Sequence, residues 1–358
     1  MEEKEISMKI AVYTIAKNEE QFVERWAESA KEADYRFILD TGSSDSTVDK
    51  ARSLGIEVAV ATISPWRFDD ARNISLGLLP ADIDICISLD MDEVLVSGWR
   101  EALEKISPNT TRPRYQYTWS WTDDNQPGLQ YGGDKIHKRH GYRWKHPVHE
   151  TLVTDRIEEV QEWIDLEIHH YPDNTKSRGQ YFPLLEVAVA EDPMDDRNQY
   201  YLAREYFFNG MFDKATQMFK RHLQNPRATW EPERAASCRY LAKCLPDLAH
   251  LYLEQAINEA PGRREALVEM VQYCYNKQDW QNCIIYALQA IEIKEKPLDY
   301  LCEEFAWGDL PYDILAVSFW NLGAYEEAYK YGKTAVELNP LDQRLINNLE
   351  LYSQSLDK

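Results

Sequence analysis

The stretch Ile83-Asp84-Ile85-Cys86-Ile87-Ser88-Leu89-Asp90-Met91-Asp92-Glu93 decides how the first half of this chain is read. Its apolar part has the length and β-branched content of a short buried strand, and it runs directly into acidic residues. On extended backbone side chains alternate with period two, so Asp90 and Asp92 are expected on the same side. Two neighbouring carboxylates repel at neutral pH unless a cation neutralises them. A hard divalent ion such as Mn²⁺ or Mg²⁺, which also bridges to phosphate oxygens, suits such a pair. Taken alone, the same residues also describe a helix cap or a solvated turn.

Working outward, the preceding residues alternate between apolar runs and amphipathic segments. Lys9 to Ile15 reads as a strand, Glu20 to Ala33 as a helix and Tyr35 to Leu39 as a second strand. Ser46 to Leu54 reads as a helix with Ser46 near its N-cap, Ile56 to Ala61 as a strand, and Asp69 to Leu78 as a helix. Strands alternating with helices predict a mostly parallel, doubly wound α/β sheet. Ligands of such sheets sit outside the carboxyl ends of the strands. Three of those ends are polar together: Thr14-Ile15-Ala16-Lys17-Asn18-Glu19, Asp40-Thr41-Gly42-Ser43-Ser44-Asp45, and Asp90-Met91-Asp92-Glu93. In the second, Asp40 offers a carboxylate for base or ribose contacts, whereas Ser43 to Ser46 are explained equally by helix capping. A further cluster, Arg67-Phe68-Asp69-Asp70-Ala71-Arg72-Asn73, opens a helix on which Arg72 could lie across a diphosphate or pair with Asp69.

Beyond about residue 195 the pattern becomes long and helical, with an internal period. Ala215, Ala249 and Cys283 are spaced by the 34 residues of a tetratricopeptide repeat. Ala328 follows after a longer gap that places an insertion at Glu295 to Leu310. Stacked helix pairs of this kind share one continuous core and form a superhelix with a concave face. Prolines 172, 183 and 193 mark the connection. The expected organisation is therefore 1–172 for the α/β domain, 173–195 for a linker and 196–358 for an all-α repeat domain.

Composition limits the function classes. The 358 residues carry 61 acidic against 40 basic side chains, a formal charge of −21 that repels a polyanion and argues against nucleic-acid binding. Six cysteines without a C-x-x-C pair support neither a zinc knuckle nor a disulfide scaffold. No stretch reaches the roughly 20 apolar residues of a membrane span. An acidic N-terminus without a secretory layout makes a cytoplasmic location the default expectation. Between Lys135 and Lys145, five basic side chains with His137 and His140 form a candidate anion-contacting loop. Alternation over Tyr115, Tyr117, Trp119 and Trp121 puts four aromatics on one strand face, either a sugar or peptide platform or part of a core.

Together, Ile15-Ala16-Lys17-Asn18-Glu19, Leu39-Asp40-Thr41-Gly42-Ser43-Ser44-Asp45-Ser46-Thr47, Asp70-Ala71-Arg72-Asn73 and Leu89-Asp90-Met91-Asp92-Glu93 resemble the family 2 glycosyltransferases, which have a GT-A fold. The segment Tyr142-Arg143-Trp144-Lys145-His146-Pro147-Val148-His149-Glu150 is similar to the one that closes this domain in members fused to tetratricopeptide repeats. The resemblance implies a Rossmann-like GT-A domain that takes a nucleotide-diphosphate sugar, a UDP-sugar first, and transfers the sugar with Mn²⁺ or Mg²⁺ and inversion. On matching positions, Thr14, Ala16, Asn18, Glu19 and Asp40 would hold base and ribose, and Arg72 and Asn73 would lie near the diphosphate. Asp90 would approach ribose and metal, Asp92 would bind the metal, and His149 would be a further ligand or diphosphate contact. The base that takes the acceptor proton is expected to be Glu150, with Asp123 and Asp124 behind it; ion pairing with Arg143 or Lys145 is the competing fate of Glu150. The segments typical of processive synthases are absent. The acceptor would be a protein, peptide or glycan for which the repeats offer a docking face, and the repeats would also allow a homo-oligomer. The alternative is a tetratricopeptide scaffold carrying an inactive glycosyltransferase-like domain. A dinucleotide-dependent oxidoreductase is disfavoured, because no G-x-G-x-x-G turn follows the first strand.

Overall fold

The computed structural model describes residues 8–122, 124–173, 179 and 181–356. They divide into two compact units, Met1–Ala188 and Val189–Lys358.

In the first unit, strands β1 (Ile10–Ala16), β2 (Tyr35–Asp40), β3 (Glu57–Val60) and β4 (Ile85–Ser88) are connected by helices α1 (Val23–Ser29), α2 (Thr47–Ser53) and α3 (Phe68–Gly77). All four strands are parallel, as the alternation predicts, in the order β3-β2-β1-β4. The antiparallel strand β8 (Ile136–Lys138) completes that sheet against β4. Apolar side chains from both faces of β1 and β4 fill two cores, one around Trp26, Ile38 and Leu89, the other around Tyr13, Leu39 and Trp144. Burial on both faces explains why these strands read as continuous apolar runs.

A second, mixed sheet has no counterpart in the strand–helix alternation. It contains β5 (Glu93–Leu95), β6 (Arg112–Thr118), β7 (Gln130–Gly133) and β11 (Gln161–His170) in the order β5-β11-β6-β7. Helix α4 (Trp99–Glu104) lies between β5 and β6 in sequence, and the hairpin β9 (Tyr142–Lys145) and β10 (Thr151–Thr154) stands apart from both sheets. The aromatic row of β6 faces inward: Tyr115 and Tyr117 are core residues with Trp119 packed against them. Of the platform expected from Tyr115, Tyr117, Trp119 and Trp121, the first three are thus core packing, because the second sheet needs an apolar face to rest on the first, while Trp121 stacks on Tyr171 and donates to the His170 carbonyl at 3.0 Å.

The expected linker at 173–195 contains helix α5 (Tyr181–Glu191), and the boundary between units falls inside that helix. Pro183 is tolerated there because the first turn of a helix leaves its N–H groups unpaired in any case.

The second unit is all-helical among its described residues, with α6 (Asp196–Phe208) and α7 (Phe212–Gln224), α8 (Glu231–Cys244) and α9 (Ala249–Glu259), α10 (Arg264–Asn276) and α11 (Trp280–Glu292), α12 (Leu310–Asn321) and α13 (Tyr325–Leu338), and α14 (Gln343–Ser355). The marker residues Ala215, Ala249, Cys283 and Ala328 lie on the second helix of each pair and are buried. Small side chains at those points let neighbouring helices approach closely. Gly332 shows the same requirement, since a Cβ there would lie 2.7 Å from the Tyr352 ring.

Candidate functional site

Parallel pairing brings three strand ends to one edge of the first sheet. Ala16 stands opposite Asp40 on the neighbouring strand, and Tyr13 stands opposite Ser88. The turns that follow β1, β2 and β4 therefore open at the same side, as the crevice rule for parallel sheets requires.

The first two turns are joined to each other. Asn18 adopts the left-handed region (φ 57°), which asparagine tolerates better than most residues. Its backbone N–H donates to Ser43 Oγ at 2.8 Å, and its Oδ1 accepts from the Ser44 N–H at 2.8 Å. The Glu19 N–H donates to Thr47 Oγ1 at 2.8 Å. Asp40 is buried and serves its own turn: Oδ1 accepts from the Gly42 and Ser43 N–H groups at 3.0 and 2.9 Å, and Oδ2 from the Ser43 hydroxyl. Gly42, at φ +107°, is the residue this turn needs as glycine. Closure of this turn, not helix capping, thus accounts for Asp40 and Ser43. At the start of α2 the cap comes from Asp45, which accepts from the Thr47 N–H at 3.0 Å, while Ser46 makes no side-chain cap bond. Ala16 is buried, and its carbonyl accepts from the Thr41 N–H and hydroxyl. Thr14, also buried, receives the Ser75 hydroxyl on its carbonyl at 3.1 Å.

At the third strand end the backbone turns instead of staying extended: the Glu93 N–H donates to the Asp90 carbonyl at 2.9 Å. The expectation that Asp90 and Asp92 point together fails for that reason. Asp90 faces Arg72 Nη2 at 2.7 Å and Lys135 Nζ at 2.6 Å. Asp92 instead faces His170 Nε2 at 3.4 Å. Glu93 is buried behind them, receives the Tyr117 hydroxyl at 2.7 Å and the Asp90 N–H at 2.8 Å, and lies 3.1 Å from Lys135 Nζ. Burial opposes ionisation of Asp90, but Arg72 and Lys135 outweigh it and hold this carboxyl well below the ordinary range. Burial has the upper hand at Glu93 and raises its carboxyl, with Asp90 and Asp92 adding repulsion. His170 is raised despite its burial, because Asp92 accepts from it while its Nδ1 lies 2.9 Å from the Trp119 carbonyl.

Arg72 is the centre of the network. It is 5% exposed and reaches Ser88 Oγ at 3.0 Å, Asp90, and Glu150 through Nε, with its guanidinium 4.9 Å from the centre of the Trp144 ring. Asp69, its expected alternative partner, is paired with Arg67 at 2.9 Å instead. Glu150 is ion-paired, although with Arg72 rather than with Arg143 or Lys145. Asn73 locks the β9 backbone, donating to the Trp144 carbonyl and accepting its N–H, both at 2.8 Å. His149 sits at φ 50° beside the Tyr181 ring. Asp124 is exposed in the β6–β7 connection, and Asp123 lies outside the described residues.

The basic run is dispersed, not concentrated on one anion-binding face. Lys135 serves the acidic cluster, His137 is buried 3.0 Å from the Tyr13 hydroxyl, and Arg139 donates to the Leu79 carbonyl at 2.8 Å. Lys138 and His140 reach the Pro108 and Ala81 carbonyls. Lys135, Lys138, Arg139 and His140 are thus tied to the acidic turn and to loop carbonyls. The sequence reading missed Lys135, Glu93, Tyr117 and His170 as partners of the acidic turn; the only signal for them was position at strand ends.

Among the described residues, Asp90, Asp92 and His149 do not converge into a group of three ligand atoms. A dication at this edge finds the Asp92 carboxylate, 30% exposed, within reach, while both oxygens of Asp90 are taken by cationic side chains.

No protein-family model matches the chain, and neither does any curated protein. Solved structures that share some likeness include YrrB, described as a TPR protein with an unusual peptide-binding site, at 16% identity over 48% of this chain and 82% of that one, TM-score 0.36. Pseudomonas aeruginosa pilF is 14% identical over 48% of this chain and 72% of that one, TM-score 0.37. A thermophilic TPR protein of Thermus thermophilus is 17% identical over 49% and 89%, TM-score 0.32. Likeness at these scores is too loose to argue from. The repeat character of the second unit rests on its own helix pairs and their 34-residue markers.

Proposed function

We propose that the first unit binds a nucleoside-diphosphate sugar, a UDP-sugar first, at the carboxyl edge of its parallel sheet and transfers the sugar to an acceptor. One observation carries the reading: parallel register delivers Asn18 and Glu19, Asp40, and Asp90 and Asp92 to the same edge, with the Arg72 and Lys135 cations among the acids. The resemblance of these segments to family 2 glycosyltransferases supplies the substrate class. Mn²⁺ or Mg²⁺ would use Asp92, and Asp90 where Lys135 exchanges its contact for the diphosphate; the dication would offset charge on the leaving group. Arg72 orients Asp90 and Glu150 at once. Of the two base candidates among the described residues, Glu150 rather than Asp124 is tied to the acidic turn in this way. In the transfer, the acceptor oxygen bonds to the anomeric carbon, its proton passes to the Glu150 carboxylate, and the bond to the diphosphate oxygen breaks with its electron pair.

A scaffold with an inactive first unit is favoured by a different observation. Asp40, Arg72 and Asp90 are already fully engaged with other groups of the chain, and the second unit is a stack of helix pairs of the kind that presents a binding face. Thermal unfolding of the full chain with UDP, with and without Mn²⁺, separates the readings. The transferase reading expects stabilisation that Asp92→Asn weakens, together with slow hydrolysis of at least one UDP-sugar. Absence of any stabilisation by nucleoside diphosphates, with or without metal, leaves the scaffold.

A further inference from the structure

The antiparallel helix pairs of the second unit bring three helix ends together: the first turn of α6, the last turn of α7 and the first turn of α8. There they place Asp196, His222 and Glu233, with one ligand atom from each within 4.8 Å of the other two. It is the one such group of three among the described residues.

The second, independent mark is His222. Its side chain is fully buried, and its Nε2 has no hydrogen-bond partner among the described residues. Buried polar atoms are nearly always paired, so an orphan calls for an ion or water that completes it. The Nδ1 of the same ring lies 2.9 Å from Ser237 Oγ, which fixes the ring and leaves Nε2 as the nitrogen aimed at the acids. Nε2 stands 3.9 Å from Glu233 Oε2, too far for a hydrogen bond and about 0.6 Å wider than two tetrahedral zinc ligands, a gap that a small side-chain movement would close. The other oxygen of Glu233 accepts the Tyr300 hydroxyl, so Oε2 is the one left over. A ring held by an outer partner, and a carboxylate held by its far oxygen, is how metal ligands are oriented.

Access agrees with this reading. Asp196 is half-buried, and its side offers the entry.

We propose that Asp196, His222 and Glu233 form a binding site for a transition-metal dication, Zn²⁺ in the first instance, that ties α6, α7 and α8 together. An imidazole with two carboxylates favours Zn²⁺ over Mg²⁺, which prefers oxygen alone. Three protein ligands leave room for water as the fourth.

The test uses the full chain carrying Asp92→Asn, so that the proposed donor edge does not contribute metal. After chelator treatment, equilibrium dialysis against Zn²⁺ is expected to return one bound ion, with Mg²⁺ unable to compete. Because His222 is fully buried and His222→Gln endangers the fold, the decisive variants are Asp196→Asn, at the half-buried member, and Ser237→Ala. Asp196→Asn should abolish stoichiometric binding. Ser237→Ala should weaken it by about 10- to 100-fold, the usual effect of losing an outer-shell partner. A Co²⁺-loaded chain should show visible absorption that Asp196→Asn removes. No bound Zn²⁺ in the Asp92→Asn chain, or Zn²⁺ affinity unchanged by Asp196→Asn, overturns the site. Neither outcome bears on the transferase reading.

Discussion

Replacing Arg72 by methionine tests whether the acidic turn is held together as described. The guanidinium is 5% exposed and contacts Ser88, Asp90, Glu150 and the Trp144 face. Methionine nearly matches its length and keeps the packing on Trp144, so the loss is electrostatic. Asp90 retains Lys135, but Glu150 keeps only what its 11% side-chain exposure gives it in water. Removing one partner from a buried ion pair costs about 3–5 kcal/mol, chiefly because the remaining charges are uncompensated. Lys135 compensates part of this, which places the expectation at the lower end, about 3 kcal/mol. For a unit of this size that is a fall in Tm of roughly 10 °C. Urea unfolding of Arg72→Met, Glu150→Gln and the double variant measures it, the cycle giving a coupling of about 1 kcal/mol or more between the two residues. A loss under about 1 kcal/mol for Arg72→Met, or additivity within about 0.5 kcal/mol, would refute the network.

Acid should act through His137, which burial pushes down to about 4 from an ordinary 6.5. Its folded form stays neutral while the unfolded chain takes up a proton, so stability is complete above pH 6.5 and falls as the pH drops towards 4. Between pH 7 and 5 the loss amounts to about 2 kcal/mol, absent in His137→Gln and measurable by urea unfolding at the two pH values. Gly133→Ala tests the β6–β7 pairing, since its Cβ would stand 2.1 Å from Cε2 of the buried Tyr115. A cost of about 1–3 kcal/mol is expected in the same assay, and a neutral result would mean that the ring moves freely.

The first sheet and the repeat spacing were legible because each depends on local pattern. Four apolar runs with intervening amphipathic segments dictate parallel strands, and small residues at a 34-residue period dictate stacked helix pairs. Boundaries moved by one to four residues, as with Glu20 to Ala33, where only Val23–Ser29 is helical. The second sheet was not legible: β5 and β11 are separated by 65 residues of intervening chain, and neither carries a turn signal that names its partner. The acidic turn shows the same limit. Period two applies only while the backbone stays extended, and nothing local announced the turn at Asp90. Arg72 meets Glu150 across 78 positions, and Lys135 meets Asp90 across 45. Partner choice at that range is settled by packing, which the sequence encodes only collectively. His222, Glu233 and Asp196 escaped notice because their helix ends meet only once the pairs are stacked.

The bonds from Asn18 to Ser43 and Ser44 have a consequence for recognition. They join two loops that the chain keeps 25 residues apart into one body, so neither can fluctuate without the other. A molecule settling on either loop meets a surface already ordered on both, and the entropy of arranging them has been spent during folding rather than at binding. Ser44→Pro, which removes the donor to Asn18, would therefore loosen the second turn from the first and return part of that ordering cost to the moment of binding.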